Sequence, residues 1–158
     1  MVTNDPARIV AAVADPEMPE LSLDDLGIVR HVEVQGGAVV VTITPTYTGC
    51  PATAVIASDI EQALQSAGWT QVEVRTVLSP AWTTDWITDA GRAKLQAAGI
   101  GRPPSLRGGF QQAVDAPAPC PLCGSRRTRR RGSFGSSACR EPYVCGACSE
   151  SFERIKPI

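Results

Sequence analysis

The sequence predicts a two-layer α/β (α+β) sandwich followed by a small four-cysteine metal ribbon, and three observations carry that expectation. Apolar residues alternate with a period of two over 28–34, 38–44 and 72–78, and one long stretch of 3.6-residue period lies between the second and third, giving the order β-β-α-β. Two C-x-x-C knuckles, Cys120-Pro-Leu-Cys123 and Cys145-Gly-Ala-Cys148, follow with 21 residues between them. The intervening segment carries Pro103-Pro104, Gly108-Gly109, Pro117 and Pro119 without periodicity. The expected division is a sandwich over 1–100, a linker over 101–119 and a ribbon over 120–158.

Asp5-Pro6 opens a short amphipathic helix through Ile9, Val10 and Val13, which must stop before Asp15 because Pro16 disfavours the α conformation in its predecessor. Asp15-Pro16-Glu17-Met18-Pro19-Glu20 is then a stiffened acidic loop. Ser22-Leu23-Asp24-Asp25 has the pattern of a capping box, and Gly27 can close the single turn that follows. Gln35-Gly36-Gly37 suits a hairpin turn between the first two strands. From Pro51 onward Ala52, Val55, Ile56, Ile60, Ala63, Leu64 and Ala67 recur on one helical face, with Pro51 suited to the first helical position and Gly68 to the C-terminal stop. After the third strand, Ser79-Pro80-Ala81-Trp82-Thr83-Thr84-Asp85-Trp86-Ile87 is an aromatic loop, and a helix from Thr88 to Ala98 ends at Gly99. Trp82, Asp85 and Trp86 are candidates for a partner surface, while the two tryptophans also suit core plugs or the walls of a pocket over Cys50.

Cys50 belongs to no pair and stands where the second strand gives way to the long helix. Unpaired N–H groups and the helix dipole favour negative charge at such a place, which suits a reactive or metal-ligating thiolate as well as the small buried hydrophobe that a free cysteine often is. The acids at 15–25 can fold back near it.

In the C-terminal segment each knuckle presents two sulfurs to one ion, so Cys120, Cys123, Cys145 and Cys148 form a four-thiolate site, for zinc or alternatively an iron-sulfur cluster. Thr128 to Arg131 and Phe152 to Ile155 are expected to pair as ribbon strands behind it. About forty residues cannot stabilise themselves by burial alone, so the ion serves as the core of this module. Cys139 is a fifth thiol, surplus to tetrahedral coordination, either buried or functional. The run Arg126-Arg127-Thr128-Arg129-Arg130-Arg131 reads as a solvated face or docking surface, with no nucleic-acid role expected.

Composition narrows the chemistry. The formal charge of −1 hides an asymmetry: residues 1–116 hold 7 Lys and Arg against 13 Asp and Glu, and residues 117–158 hold 8 against 3. The first residues carry no apolar leader pattern and no window has the length of a membrane span, which leads to the expectation of a cytoplasmic protein whose six cysteines serve metal or thiol chemistry. One histidine, His31, in a strand pattern, excludes metal centres needing two or three histidines and di-iron sites built on E-x-x-H pairs. Neither a G-x-x-x-x-G-K-[ST] phosphate loop nor a G-x-G-x-x-G fingerprint occurs.

Asp15-Pro16-Glu17-Met18-Pro19, Asp25-Leu26-Gly27-Ile28-Val29 and Thr46-Tyr47-Thr48-Gly49-Cys50-Pro51 together resemble the MIP-type iron-sulfur assembly domain family. Pro80-Ala81-Trp82-Thr83-Thr84-Asp85-Trp86, Phe134-Gly135-Ser136-Ser137-Ala138-Cys139 and the paired knuckles extend the resemblance to the D-component family of bacterial phenylacetyl-CoA ring 1,2-epoxidase systems. The resemblance implies a sandwich of the iron-sulfur assembly type and a zinc ribbon. It implies a non-catalytic accessory role in aerobic phenylacetate degradation, in assembling or inserting the iron-sulfur cluster of the reductase component, with the oxygenase subunits as further partners and a homodimer as one way to share a cluster. Cys50 then becomes the ligand for a transient cluster, with Asp15 and Glu17 as neighbouring acids. The alternative is a structural or docking subunit of the multicomponent oxygenase that uses its ribbon for protein contacts.

Overall fold

A computed structural model describes residues 4–158 and divides the chain into two compact units, Met1–Trp82 and Thr83–Ile158. The division falls at 82/83, ahead of the expected boundary at 100. The helix expected at 88–98 belongs to the second unit, and so does the segment expected as a linker, because that segment is structured: it contains the end of a two-residue strand and a six-residue helix.

In the first unit Asp5 caps α1 (Pro6–Ala11), its carboxylate accepting from the Ala7 N–H at 3.1 Å. The capping box forms as the sequence predicts. Ser22 Oγ accepts from the Asp25 N–H at 3.1 Å, and the Asp25 carboxylate accepts from the Ser22 N–H at 2.9 Å, ahead of α2 (Leu23–Leu26). Gly27 then takes the left-handed φ of 67° that closes the turn.

Strand β1 (Val29–Gln35) runs antiparallel to β2 (Ala38–Ile43) across the Gly36-Gly37 turn, and β3 (Val72–Thr76) joins β2 in parallel after the 15-residue helix α3 (Ala52–Ser66). β2 is therefore the centre of the order β1-β2-β3. The register places Val41 between Val32 and Val74, and Val39 between Val34 and Val72, on one face. Val39, Val41 and Ile43 are fully buried together with Val10 of α1 and Ile56, Ile60 and Leu64 of α3, so the helices form the second layer. The opposite face carries the pairings Glu33–Val40–Glu73 and His31–Thr42–Arg75 and has an exposed Arg75–Glu73 ion pair at 2.6 Å.

Trp82 closes this unit. It is 5 % exposed and its indole N–H donates to the Leu26 carbonyl at 2.8 Å. The expectation that Trp82 offers a partner surface is corrected by this burial: the ring is a plug of the first unit's core, and its polar edge is already satisfied.

The second unit begins with a 3-10 turn (Thr84–Trp86) and helix α4 (Asp89–Ala97), whose Thr88 cap accepts from the Gly91 N–H at 3.0 Å. Strand β4 (Ile100–Gly101) and helix α5 (Phe110–Asp115) follow, then β5 (Thr128–Arg130), β6 (Arg140–Cys145) and β7 (Ser151–Ile155) in a sheet of order β4-β7-β6-β5. The expected pairing of 128–131 with 152–155 is not what forms. β6 lies between them and pairs antiparallel with both. Its pattern is hidden in the sequence because its buried positions are Glu141, Tyr143 and Cys145, only partly apolar, and Pro142 interrupts it. The unit's entry and exit are stitched together, the Thr84 N–H donating to the Ile158 carbonyl at 3.0 Å.

Candidate functional site

Among the described residues the candidate site residues fall in two places, one in each unit. In the first, the chain leaves β2 through Thr44, Pro45 and a turn at Thr48-Gly49, where Gly49 has a φ of 79° and delivers Cys50 immediately before α3. Pro51 occupies the N-cap position, one place earlier than the sequence predicts, and gives α3 no side-chain cap. The Cys50 carbonyl accepts from the Thr53 N–H at 3.1 Å, while its thiol is half-buried. The helix thus starts without a side-chain cap, just after a half-buried cysteine.

Of the candidate acids, Asp15 is turned into its own loop: it is 5 % exposed, and its Oδ1 accepts from the N–H groups of Glu17 at 2.9 Å and Met18 at 2.8 Å. Those bonds fold the loop and bury Met18 beneath it. Glu17 is exposed. Asp85 and Trp86 belong to the second unit, apart from Trp82; Asp85 is exposed and accepts from the Leu106 N–H at 3.1 Å.

The second place is the metal centre that the knuckle spacing predicts. The sulfurs of Cys120, Cys123, Cys145 and Cys148 all lie within 4.8 Å of one another, with Cys120 and Cys148 3.8 Å apart and Cys123 and Cys145 3.6 Å apart. Four thiolates bonded at about 2.3 Å to one tetrahedral ion are separated by roughly 3.8 Å, so the donor set fits a single ion. Cys120 and Cys145 are buried, whereas Cys123 and Cys148 face outward.

The two knuckles are built alike. The N–H groups of Cys120 and Cys145 donate five residues ahead, to Ser125 and Glu150, both at 2.9 Å. The N–H groups of Gly124 and Ser149 return to the carbonyls of Cys120 and Cys145, at 2.8 and 3.0 Å. Gly124 and Ser149 both take left-handed φ angles, 73° and 65°. Cys145 and Cys148 shift in opposite directions. Backbone N–H groups of Cys148 and Ala147 pull Cys145 down to about 6. Cys148 goes the other way: the Glu150 backbone contact lowers it, but burial and the surrounding thiols of Cys123, Cys145 and Cys120 outweigh that and push it up to about 12. A divalent cation relieves that crowding by taking all four as thiolates. Cys139 is outside the four-sulfur cluster, buried, with its sulfur 3.1 Å from Ser137 Oγ.

A charged network behind the metal site escapes sequence reasoning. Arg154 and Glu141 are 1 % and 3 % exposed and form a buried ion pair, with Arg154 Nε donating to Glu141 Oε1 at 2.8 Å. Arg154 Nη1 also donates to the Ala116 carbonyl at 3.0 Å, Tyr143 OH to Glu141 at 3.2 Å and Arg130 to Glu141 at 3.3 Å. The guanidinium of Arg154 lies 5.1 Å over the Tyr143 ring, which stacks on Phe152. One carboxylate thereby ties β5, β6 and β7 together, and through Arg154 the end of α5. The available signal was alternation itself, since Glu141 and Arg154 fall in phase with Tyr143 and Phe152 in their strands.

Comparison with known proteins follows the same division. Residues 8–76 match the family model described as iron-sulfur cluster assembly protein, and residues 107–156 match the PaaD zinc beta ribbon domain. Over 152 residues, 95 % of this chain and 90 % of the relative, the sequence is 40 % identical to an Escherichia coli (strain K12) protein named as the putative D component of 1,2-phenylacetyl-CoA epoxidase. Over 93 residues, 58 % of this chain and 88 % of the relative, it is 32 % identical to a Porphyromonas gingivalis protein named Fe-S protein maturation auxiliary factor. A crystal structure of a DUF59 domain from Bacillus anthracis aligns with a TM-score of 0.54 and 28 % identity, covering 58 % of this chain and 89 % of that one.

Proposed function

From the premise that the chain belongs to the family of 1,2-phenylacetyl-CoA epoxidase D components, an iron-sulfur cluster assembly domain joined to a PaaD zinc ribbon, we propose that it is a non-catalytic accessory factor in iron-sulfur protein maturation. Its working residue is Cys50, which takes a cluster as cargo and passes it to the reductase component of an epoxidase system acting in aerobic phenylacetate degradation. The observation that carries this reading is the half-buried Cys50 thiol at the open start of α3, inside the segment that matches the assembly family.

A single protein thiolate bonded to cluster iron is exchangeable, which suits transfer better than storage. The remaining coordination comes from a second copy's Cys50 or from a small thiol. Asp15 supports the site indirectly, by holding the acidic loop in shape through its own backbone bonds. Zinc is the ion proposed for Cys120, Cys123, Cys145 and Cys148, where it stabilises the fold of the ribbon and does no chemistry.

The test is anaerobic purification of the wild type and Cys50→Ala, followed by metal and acid-labile sulfide analysis. The expected result is one equivalent of zinc in both proteins, with iron and sulfide in the wild type alone after reconstitution. Iron absent from both, or present in both, overturns the role of Cys50. A second reading, a docking subunit of the oxygenase complex, is favoured by the exposed arginines and Phe110 and Phe134 of the second unit. It expects cells to tolerate Cys50→Ser and not the loss of Cys120 or Cys145.

A further inference from the structure

The second unit carries a surface that neither the thiol of Cys50 nor the four-thiolate centre uses. A cavity of about 210 Å³ is walled by Phe110, Val114, Arg130, Glu141, Arg154 and Lys156. Three of these side chains are cations and one is an anion. Glu141 is committed to Arg154, its buried partner, and touches Arg130 through one guanidinium nitrogen, so the cavity keeps a positive surplus on Arg130 and Lys156. Arg130 has a side chain 47 % exposed, and Arg129 and Arg131 beside it are exposed as well.

One exposed phenylalanine lines the cavity and a second lies against its lysine. Phe110 is 61 % exposed, and Lys156 lies with its ammonium 4.3 Å from the ring centroid of Phe134, which is 76 % exposed. Two phenylalanines held in water beside cations cost hydration free energy that a partner would recover. Aromatic residues and arginine are also the types that carry most binding energy at protein interfaces. The volume falls below the roughly 300–1,000 Å³ of small-ligand pockets and suits a single inserted side chain. A free small anion would satisfy Arg130 and Lys156 and leave both rings in water.

We propose that this face docks an acidic peptide segment of a protein partner, whose carboxylates meet Arg130 and Lys156 while one apolar side chain enters the cavity between Phe110 and Lys156. The surface deepens the proposed accessory role by giving the second unit a recognition task. Its test leaves Cys50 and the metal thiolates intact, so that failure here and failure of the cluster role are separate results.

The experiment is fluorescence anisotropy of the metal-loaded full chain with a fluorescein-labelled polyglutamate peptide carrying a central phenylalanine. A polylysine counterpart and an oligothymidine strand are run alongside. The expected result is saturable binding of the acidic peptide, weakened about tenfold or more by Lys156→Glu and by Phe110→Ser combined with Phe134→Ser, and weakened by raising salt from about 50 to about 500 mM. All altered positions lie on the surface side of the unit, and unchanged zinc content and melting temperature show that the variants fold. Absence of peptide binding, binding undiminished in these variants, or tighter binding of the oligothymidine strand overturns the proposal, the last in favour of a nucleic-acid surface.

Discussion

Ser149 and Gly124 hold the same place in the two knuckles, yet only one of them is a glycine. Both sit in the left-handed region, at 65° and 73°, because the fifth residue of each knuckle must turn its N–H back to the first cysteine's carbonyl. A residue with a Cβ is strained there, by roughly 1–2 kcal/mol in the general case. Ser149→Gly relieves the strain and gives back part of the gain as chain entropy, for a net stabilisation of about 0.5–1 kcal/mol. The expected outcome is slower removal of the metal by a chelator, followed with a colorimetric zinc indicator, and Gly124→Ser should shift the rate the other way. At this scale much is legible in the sequence. The knuckles stand out because cysteine spacing is a local property, and the Ser22 capping box because its partners are three residues apart. For Trp82 the sequence leaves core plug and partner surface both open, because its acceptor, the Leu26 carbonyl, lies 56 residues away in sequence.

Among the elements, β6 holds the second unit's sheet together and is the one the sequence conceals. Its neighbour β7 contributes Arg154 to a pair with Glu141 that is almost fully removed from water. Removing one partner of such a pair leaves an uncompensated buried charge, so Glu141→Leu should destabilise the second unit by about 3–5 kcal/mol. Replacing both, Glu141→Leu with Arg154→Met, should recover most of that loss. Denaturant unfolding of the metal-loaded single and double variants checks the pair; equal destabilisation by both would mean that Arg154 acts through its bond to the Ala116 carbonyl instead. The same buried charges explain why the strand is illegible: a pattern search for apolar alternation passes over Glu141 and Arg154, and the proline in the middle of β6 argues against a strand. Helix α5 reads as linker for a related reason. It is six residues long and buries Ala113 alone, too little for periodicity to register.

For the molecule as a whole, the two units differ in what holds them up. Met1–Trp82 has an apolar core that runs from Val10 through Leu64 to Trp82, whereas Thr83–Ile158 buries Ile87, Leu95, Ile100 and Ile155 and has in addition a small cluster at the metal thiolates: Ala118, Cys120, Tyr143, Cys145 and Phe152. Stripping the metal should therefore unfold the ribbon of β5, β6 and β7 and leave the first unit, because thiolate binding energy is folding energy in a small metal module. Circular dichroism and thermal melts before and after chelation check this; the expected outcome is loss of one of two transitions, reversed by adding zinc. Acid should do the same, since protons compete for the four sulfurs. The charge also divides by unit, with three basic and ten acidic residues in 1–82 and twelve and six in 83–158.

The bond between Thr84 and Ile158 brings residues 74 apart in sequence to within 3.0 Å, so the second unit is a nearly closed loop of chain. A segment whose two ends meet is portable: spliced into a surface turn of an unrelated host, residues 83–158 would hold the host's cut ends close together. The ribbon could then serve as a genetically encoded metal cassette, its folding reporting metal availability through the host it interrupts.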